Sequence, residues 1–371
     1  MLVLSLAALA AVCAAQPSFL VDVLVYRAEG RAVVEGGDLY GLTVTEWDLP
    51  ATYPPFAALL FVPTALLPLP AVQVLFAAGN VALLALLVHL SLRLAGRRTS
   101  PALLIAATAA GLWLEPVFQT MAFGQINLAL ACLVLWDLGR PDGARGKGLA
   151  IGVAAGIKLT PAIFAVHLLL TGRVRAGLTA LAGFAGTAVL GAAALPGASV
   201  DFWTRRMFET GRVGKAWIVD NQSLQGMAAR LLHTPEPGLW WAVPAAVVAL
   251  LGLLLARRAH LCGREGWGVL AVAGTAVLVS PISWSHHWVW CVPLLAVLAA
   301  AGPDRRWPLC AAGAVAALFT ARTHWLVPHS GDLDLHLPWW QQPLASPYAP
   351  LALALLAYAA WCLRRSPRPT G

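Results

Sequence analysis

Charged side chains are scarce in this chain of 371 residues, and their scarcity defines its class. Asp, Glu, Lys and Arg together make up 11% of the sequence, whereas apolar residues make up 59%. Soluble domains carry about 25% charged residues, and a chain of about 300 residues buries only about 75% of its surface on folding. A water-soluble fold could not hide this much apolar surface. The composition therefore excludes a soluble enzyme, a disordered chain and a fibrous protein, and it predicts a protein of the lipid bilayer.

Several functional motifs are also missing. The six cysteines show no CxxC or other paired spacing, which favours free apolar thiols over disulfides or a metal site. The sequence contains no phosphate-cradling GxxxxGK[ST] and no GxGxxG at a strand–helix junction. Nucleotide-driven pumps and nucleotide-sugar enzymes therefore lose their main support. The net charge of +8 does not indicate a nucleic-acid partner, because the cations lie in short loops rather than on one polar face.

The chain does contain about twelve apolar runs separated by polar loops. They predict an all-α integral membrane protein, a single polytopic domain over residues 1–371 with about 10–12 transmembrane helices. The first run is interpreted as a membrane helix rather than a cleaved signal peptide, because no positive charge precedes it. The runs 149–157 and 161–171 flank Pro161 and are shorter than a span needs, so either their ends extend into the flanks or the two form a broken or re-entrant helix. The runs cover residues 2–15, 72–92, 101–114, 126–138, 149–157, 161–171, 177–195, 240–256, 267–280, 288–301, 308–320 and 350–363.

Arginines are concentrated in six regions beside the apolar runs, and these regions predict the orientation. The positive-inside rule places them on the cytoplasmic side when both termini are cytoplasmic. The loops 16–71, 196–239 and 321–349 then lie outside, where we expect the chemistry, because functional polar groups of membrane proteins line cavities. The loop 196–239 fits less well, since it carries several arginines of its own. The six regions are Arg93–Arg98, Arg140–Lys147, Arg173–Arg175, Arg257–Arg264, Arg305–Arg306 and Arg364–Arg368.

One acid stands in an apolar segment just after the first run. Asp22 lies within Phe19–Tyr26, where its neighbours are Leu and Val. A carboxylate among apolar side chains costs free energy unless it faces water or a partner. An ordinary interfacial residue would explain this position. A general base would explain it too, since apolar surroundings raise the pKa of a carboxyl group toward neutrality.

Three cationic or imidazole side chains also interrupt apolar sequence. Lys158, one of only three lysines, precedes Pro161 where a helix must break. It either snorkels to the interface or holds a phosphate beside exposed backbone N–H groups. His286 and His287 are adjacent, and neighbours on a helix diverge by about 100°. A regular helix therefore cannot direct both rings at one metal, and contact with a phosphate or a sugar is favoured over a zinc site.

Neutral amides and aromatic rings form a third group of candidates. The amides suit sugar hydroxyls, although Gln and Asn are also ordinary residues at a helix start. The aromatic rings suit sugar faces, although interfacial aromatic belts are a commoner use. The two prolines after Tyr53 are predicted to prevent a regular helix, and either an interfacial helix start or a rigid turn at the rim of a cavity would explain them. The candidates for sugar and acceptor binding are Tyr26, Tyr53, Gln125, Asn127, Asn221, Gln222 and Trp284.

The chain resembles the polyprenyl-phosphate-mannose-dependent α-(1→2) mannosyltransferases of actinobacteria, glycosyltransferase family 87. Six stretches between residues 19 and 290 carry the resemblance, in the order that the family has them. Each alone is a weak signal, whereas six in register are a strong one. The stretches are Asp22–Tyr26 with Gly37–Tyr40, Tyr53–Phe56, Gly124–Asn127, Ile157–Pro161, Asn221–Leu224 and Ser280–Trp290.

The resemblance implies a GT-C fold in a bacterial plasma membrane, with outer loops over the active site and a lipid-linked sugar donor. It implies that Asp22 is the catalytic base, since this residue matches the family's acid in the first outer loop. The chemistry implies inversion of a β-mannosyl phosphate to an α-mannoside on a glycolipid or glycan acceptor. Lys158, His286 and His287 are our candidates for the leaving phosphate. We therefore expect neither a metal nor another cofactor.

A transporter or flippase of polyprenyl-linked sugar is the competing function. It would explain the apolar runs and Lys158 equally well. It would not predict the carboxylate of Asp22 together with His286 and His287 at one face. A non-catalytic scaffold accounts for none of these polar residues. The identity of the acceptor stays open at this point, and the assignment of mannose rests on the family.

Overall fold

Helices dominate the computed structural model, which describes residues 2–15, 19–300 and 306–364. Among these residues the two-stranded hairpin of β1 (Thr43–Val44) and β2 (Leu49–Pro50) is the only sheet. Short 3-10 helices include Thr160–Ala162, Ser285–Trp290 and Thr323–Leu326. The α-helices are α1 (Leu2–Ala14), α2 (Val21–Glu35), α3 (Pro55–Leu66), α4 (Leu69–Leu94), α5 (Pro101–Gly111), α6 (Glu115–Phe123), α7 (Asn127–Leu138), α8 (Leu149–Ile157), α9 (Ile163–Leu170), α10 (Val174–Ala194), α11 (Pro196–Thr204), α12 (Leu224–Leu232), α13 (Leu239–Leu261), α14 (Glu265–Val279), α15 (Cys291–Ala300), α16 (Arg306–Ala321), α17 (Gln342–Ala345) and α18 (Tyr348–Arg364).

The predicted class of an all-α membrane protein is confirmed. Three helices of the described part, α4, α10 and α13, are long and apolar enough to cross a bilayer, and only 22–33% of their most apolar stretches is buried inside the protein. The pair α5 and α6 is bent by 77° and counts as a fourth span if taken together. Further apolar helices are only 10–17 residues long. The number of 10–12 spans and the orientation stay predictions, and Arg305 and the tail beyond Arg364 lie outside the described residues.

The predicted broken helix around Lys158 is present. Helix α8 ends at Ile157, and Lys158 has an extended backbone with φ −146° and ψ 130°. A single 3-10 turn, Thr160–Ala162, then leads into α9. Proline has no N–H to donate, and its ring disfavours helical geometry in the preceding residues. The break therefore follows from the sequence, and because of it the Lys158 side chain does not have to follow the direction set by α8.

The expectation that two prolines exclude a helix after Tyr53 is wrong. Pro54 is extended with φ −56° and ψ 153°, and α3 begins directly at Pro55. Proline is tolerated in the first turn because the N–H groups there have no partner within the helix. The predicted outer loop 16–71 therefore contains two helices, α2 and α3, which pack against each other.

Helices α8 and α10 approach each other closely along a row of glycines. Gly148, Gly152 and Gly156 recur every four residues and lie on one face of α8. A Cβ on Gly152 would meet the carbonyl oxygen of Ala180, and one on Gly156 would meet the Thr187 side chain. Small residues at such spacing let helix backbones pack tightly in a bilayer. This contact fixes the position of α8, which ends just before Lys158.

Replacing Gly152 by valine is expected to destabilise the protein, because the new side chain would have to push α10 away. Overpacking of a tight contact costs about 1–3 kcal/mol. Thermal unfolding in detergent micelles measures the loss as a lowered Tm. Gly186→Val is the matched control, since a Cβ at this exposed position of α10 meets nothing within 4 Å. Equal Tm values for the two variants would contradict a tight α8–α10 contact.

Candidate active site

The start of α2 is fixed against the turn between α6 and α7. The backbone N–H of Leu20 donates to the carbonyl oxygen of Ala122 over 2.6 Å. Gly124 ends α6 with φ 73°, a left-handed conformation that glycine adopts at low cost. A Cβ at Gly124 would also collide with the Val23 side chain. These contacts place Asp22, in the first turn of α2, beside Gln125.

Gln125 connects Asp22 to two tyrosines. Its side-chain oxygen accepts hydrogen bonds from the hydroxyls of Tyr26, over 3.0 Å, and Tyr53, over 3.1 Å. The two hydroxyls lie 3.3 Å apart. The carbonyl end of the amide is thereby occupied, and the Gln125 side chain also lies against the carboxyl group of Asp22 and lowers its pKa. The structure thus brings together four of the residues that the sequence predicted, from α2, the segment before α3 and the α6–α7 turn.

The surroundings of Asp22 suit a base that works near neutral pH. Removal from water raises the pKa of its carboxyl group to about 6, and the negative charge of Asp220 acts in the same direction. The hydrogen bond from Gln125 and the positive charge of Lys158 oppose this rise. The side chain is half-buried, so it is not sealed off from a substrate. A carboxyl group with this pKa is mostly ionised at pH 7 and retains basicity.

Lys158 is held in a network of its own. Its Nζ lies 2.8 Å from Nε2 of His287 and donates to Oδ1 of Asn127 over 3.2 Å. The Asn127 amide in turn donates to the carbonyl oxygen of His286 over 3.0 Å. The ammonium group also lies 5.4 Å from the centre of the Tyr53 ring. The break after α8 therefore brings the predicted lysine against the predicted histidine pair and leaves the ammonium without a carboxylate partner among the described residues.

A cavity opens beside this network. Asn127, Lys158 and His287 form its polar end, and Thr160 lies next to them. The remaining lining is apolar and comes from α7, α9, α14 and the segment after His287. A cationic end joined to an apolar body suits an amphipathic ligand with a negative head. The apolar residues are Leu130, Ala131, Pro161, Phe164, Ala276, Val277, Val289 and Trp290.

The second predicted histidine has a different setting. The His286 ring is buried, packs edge-on against Phe123 with ring centres 5.7 Å apart, and lies 4.7 Å from the His287 ring. Neither of its ring nitrogens has a hydrogen-bond partner in the described structure. Its contact with a donor phosphate stays a prediction.

Two predicted amides lie outside both networks. Asn221 and Gln222 are fully buried, and their side chains bond to the backbone. The Asn221 amide donates to the carbonyls of Ala216 and Pro281, and that of Gln222 donates to those of Val219 and Ala345. These bonds hold the loop before α12 against the segments around 281 and 345. A role in orienting sugar hydroxyls stays a prediction, and the amide N–H groups that it would use already have protein partners.

Trp284 belongs to the same inter-loop contact. It forms an isolated bridge with Asn221, and its indole lies against Gly214. The side chain is half-buried and does not join the Gln125 or the Lys158 network. Stacking on a sugar therefore also stays a prediction for this residue.

Sequence reasoning overlooked four buried polar side chains near the predicted site. Glu29, Glu115 and His324 are almost completely buried, and Asp220 is 9% exposed. Burial and the nearby charge of Glu115 raise the pKa of Asp220 to about 6, against hydrogen bonds from Ser285. The signal that singled out Asp22, an acid beside apolar sequence, is also present at Glu115. Asp220 and His324 lie in polar loops, where no local pattern distinguishes them.

Comparison with known proteins identifies a family and several relatives. The family profile described as Glycosyltransferase family 87 matches residues 51–281. A polyprenol-phosphate-mannose-dependent alpha-(1-2)-phosphatidylinositol mannoside mannosyltransferase of Mycobacterium tuberculosis is 34% identical over 365 aligned residues, covering 91% of this chain and 84% of the relative. The protein of the same name from Mycolicibacterium smegmatis is 33% identical and covers 91% and 82%.

A second type of relative is also similar. The polyprenol-phosphate-mannose-dependent alpha-(1-2)-phosphatidylinositol pentamannoside mannosyltransferase of Mycobacterium tuberculosis is 35% identical over 78% of this chain and 68% of its own length. No solved structure gives a significant match. The family match over more than half of the sequence, the relatives along most of its length and the apolar helices lead to one conclusion: the chain belongs to glycosyltransferase family 87 and is a membrane glycosyltransferase.

Proposed function

We propose that this enzyme transfers mannose from polyprenyl-phosphate mannose to a hydroxyl of a phosphatidylinositol mannoside, with inversion to an α-(1→2) linkage and Asp22 as general base. The observation that carries the proposal is the pairing of two networks. The Gln125 network contains the half-buried carboxylate of Asp22. The other network contains Lys158, which lies at the polar end of an apolar cavity. The names of the mycobacterial relatives supply the donor and the class of acceptor.

The donor half of the reaction is assigned to the cavity beside Lys158. The phosphate of the donor would contact Lys158 and His287, and the first isoprene units would occupy the apolar lining. The bond from the anomeric carbon to the phosphate oxygen breaks during transfer, so negative charge grows on the leaving polyprenyl phosphate. A fixed cation and N–H donors stabilise such charge in a site with little water. No metal or other cofactor is required for this step.

The acceptor half is assigned to Asp22. Its carboxylate accepts the proton of the attacking hydroxyl while that oxygen forms the bond to the anomeric carbon. Attack opposite to the leaving phosphate converts a β-linked donor into an α-linked product. Tyr26, Tyr53 and Gln125 hold the carboxylate in place through the side chain of Gln125. We place this site on the extracytoplasmic side of the plasma membrane, with both termini in the cytoplasm, on the distribution of arginines.

The activity is expected to depend on pH through Asp22. Below its pKa of about 6 the carboxyl group is protonated and cannot accept a proton, so kcat/KM should rise about tenfold per pH unit toward pH 6 and level off above it. Lys158, Asp220 and Glu29 are the charged or titratable groups that act on Asp22. Burial raises the pKa of Glu29 to about 8, so Glu29 is mainly uncharged over this interval. A rate that is constant between pH 4.5 and 7.5 would contradict the assignment.

Transfer and transport are separated by one assay. The purified protein is reconstituted in liposomes with radiolabelled polyprenyl-phosphate mannose and a phosphatidylinositol mannoside, and products are analysed by linkage. A new α-(1→2) mannoside supports the proposed enzyme. Label that crosses the bilayer without a new glycosidic bond would support a flippase and overturn the proposal. Parallel reactions with unmannosylated phosphatidylinositol and with a mannosylated glycan that has no lipid define the acceptor.

A further inference from the structure

Glu115, at the start of α6, is a buried carboxylate whose two oxygens are both oriented by neighbours. The indole N–H of Trp325 donates to Oε1 over 3.2 Å, and the hydroxyl of Tyr348 donates to Oε2 over 2.7 Å. The side chain has no exposed surface. Hydrogen bonds of this kind fix carboxylates that bind metals. Glu115 is therefore a rigid acceptor at a place that water does not reach.

A second carboxylate and a hydroxyl adjoin Glu115. Asp220 accepts a hydrogen bond from the backbone N–H of Ser285 over 3.0 Å. The Ser285 side chain lies against both carboxyl groups. It is fully buried, and its hydroxyl forms no well-aligned hydrogen bond. Three oxygen-bearing side chains, from α6, the loop before α12 and the 3-10 helix Ser285–Trp290, thus meet at one point.

His324 completes the group from the 3-10 helix Thr323–Leu326. Its ring is fully buried, and neither nitrogen has a hydrogen-bond partner. Nε2 lies 3.4 Å from Oε1 of Glu115, within ion-pair distance but without the geometry of a hydrogen bond. A buried imidazole whose nitrogens form no hydrogen bond costs free energy. Its position toward two carboxylates suggests that it serves a ligand that the three side chains share.

The nearby guanidinium groups act on the two carboxylates only from a distance. Among the described residues, neither Arg322 nor Arg230 forms an ion pair with Glu115 or Asp220. The guanidinium of Arg322 stacks on the Phe118 ring at 3.6 Å, and that of Arg230 bonds to Ser346 and to backbone carbonyls. Two carboxylates this close in a low-dielectric interior repel each other unless a cation or a proton lies between them.

We propose that Glu115, Asp220 and His324 form a binding site for a single divalent transition-metal ion. One ligand atom from each residue lies within 4.8 Å of the other two. Ligands bound at about 2.1 Å in tetrahedral geometry stand about 3.4 Å apart, so shifts of up to about an ångström close the site. One imidazole nitrogen with two carboxylate oxygens suits Zn²⁺ or Mn²⁺ better than Ca²⁺.

The ion would join three segments that are far apart in sequence. It would fix Ser285, which directly precedes His286 and His287, and Asp220, whose negative charge acts on Asp22. This site is distinct from the cavity at Lys158. Its role is to hold the loops in place, so the donor phosphate is still met by protein cations. The inference does not depend on the sugar or on the acceptor.

Metal content and thermal stability of the purified full chain test the site. The protein in detergent is treated with EDTA, supplied with Zn²⁺ or Mn²⁺ alone, desalted and analysed by mass spectrometry for metal per chain. The wild type should retain one ion, and its Tm should rise with metal concentration as expected for a ligand that binds the folded state. The absence of retained metal together with an unchanged Tm for both ions would overturn the proposal.

Variants make the test specific. His324→Asn should lose both the retained ion and the Tm response, whereas His329→Asn, an exposed histidine five residues away, should keep both. Tyr348→Phe leaves all three ligands in place but removes a hydrogen bond to Glu115, and it should weaken metal binding about 10–100-fold. If His324→Asn does not fold, Tyr348→Phe decides. Binding that is unchanged in the variant that folds would overturn the proposal.

Discussion

Replacing Asp22 by asparagine is expected to lower kcat for mannosyl transfer by about 10²–10⁴-fold, the usual contribution of a positioned general base. Asparagine has nearly the same shape, but it has no basic oxygen for the proton of the acceptor hydroxyl. Residual turnover should remain, because Lys158 and His287 still stabilise the leaving phosphate. The pH dependence near 6 should disappear as well. Initial rates with labelled polyprenyl-phosphate mannose in liposomes measure both effects.

The matched control for this variant is Asp48→Asn in the exposed hairpin that follows α2. Its rate should equal that of the wild type. A purified Asp22→Asn protein that is folded, has a normal Tm and transfers mannose at the wild-type rate would exclude Asp22 as the base. The half-buried position beside Gln125 would then have only a structural purpose.

The second large effect is expected at Lys158. Lys158→Gln removes the cation at the polar end of the cavity, and loss of one group that stabilises a developing oxyanion costs about 10²–10³-fold in kcat. Lys158→Arg keeps the charge but not the position of the ammonium, so we expect partial activity. Because charge on the phosphate grows during bond cleavage, kcat should fall more than the KM for the donor rises.

Lys215→Gln is the control for a general loss of positive charge. Lys215 forms an exposed ion pair with Asp332 at 2.7 Å, and such pairs contribute about 0–1 kcal/mol to stability. Its removal should leave transfer unchanged. If Lys158→Gln were as active as Lys215→Gln, the leaving phosphate would have to be stabilised elsewhere, and the assignment of the cavity to the donor would fail.

The sequence predicts the helices of the membrane part well because hydropathy is a local property. Each of the predicted apolar runs contains a helix, and the break at Lys158 lies where Pro161 requires it. Helix α2 was missed because its charged residues interrupt the apolar pattern. Helix α6 was missed because Glu115 interrupts the apolar run, although this carboxylate is satisfied by residues more than 200 positions later.

The site was predictable to the extent that a polar residue is costly in its local sequence. This principle selected Asp22 and Lys158, and the structure places each within a network of other predicted residues. Asn221 and Gln222 were selected for another reason, that amides suit sugar hydroxyls, and their amides bond to backbone carbonyls from distant segments. Local sequence does not distinguish an amide that serves a substrate from one that serves a loop, because that difference depends on tertiary contacts.

The hydrogen bonds at Gln125 have a consequence for how such enzymes can evolve. One carbonyl oxygen accepts from both Tyr26 and Tyr53, while the same amide holds the base. Mutations at contacting residues have non-additive effects on free energy. A substitution at one of the three positions therefore changes how much the other two residues contribute to stability and activity. Drift at a single position is therefore penalised, and variation at these positions should be correlated among relatives. Tyr26, Tyr53 and Gln125 should therefore change together during evolution, although 99 positions separate Tyr26 from Gln125 in the sequence.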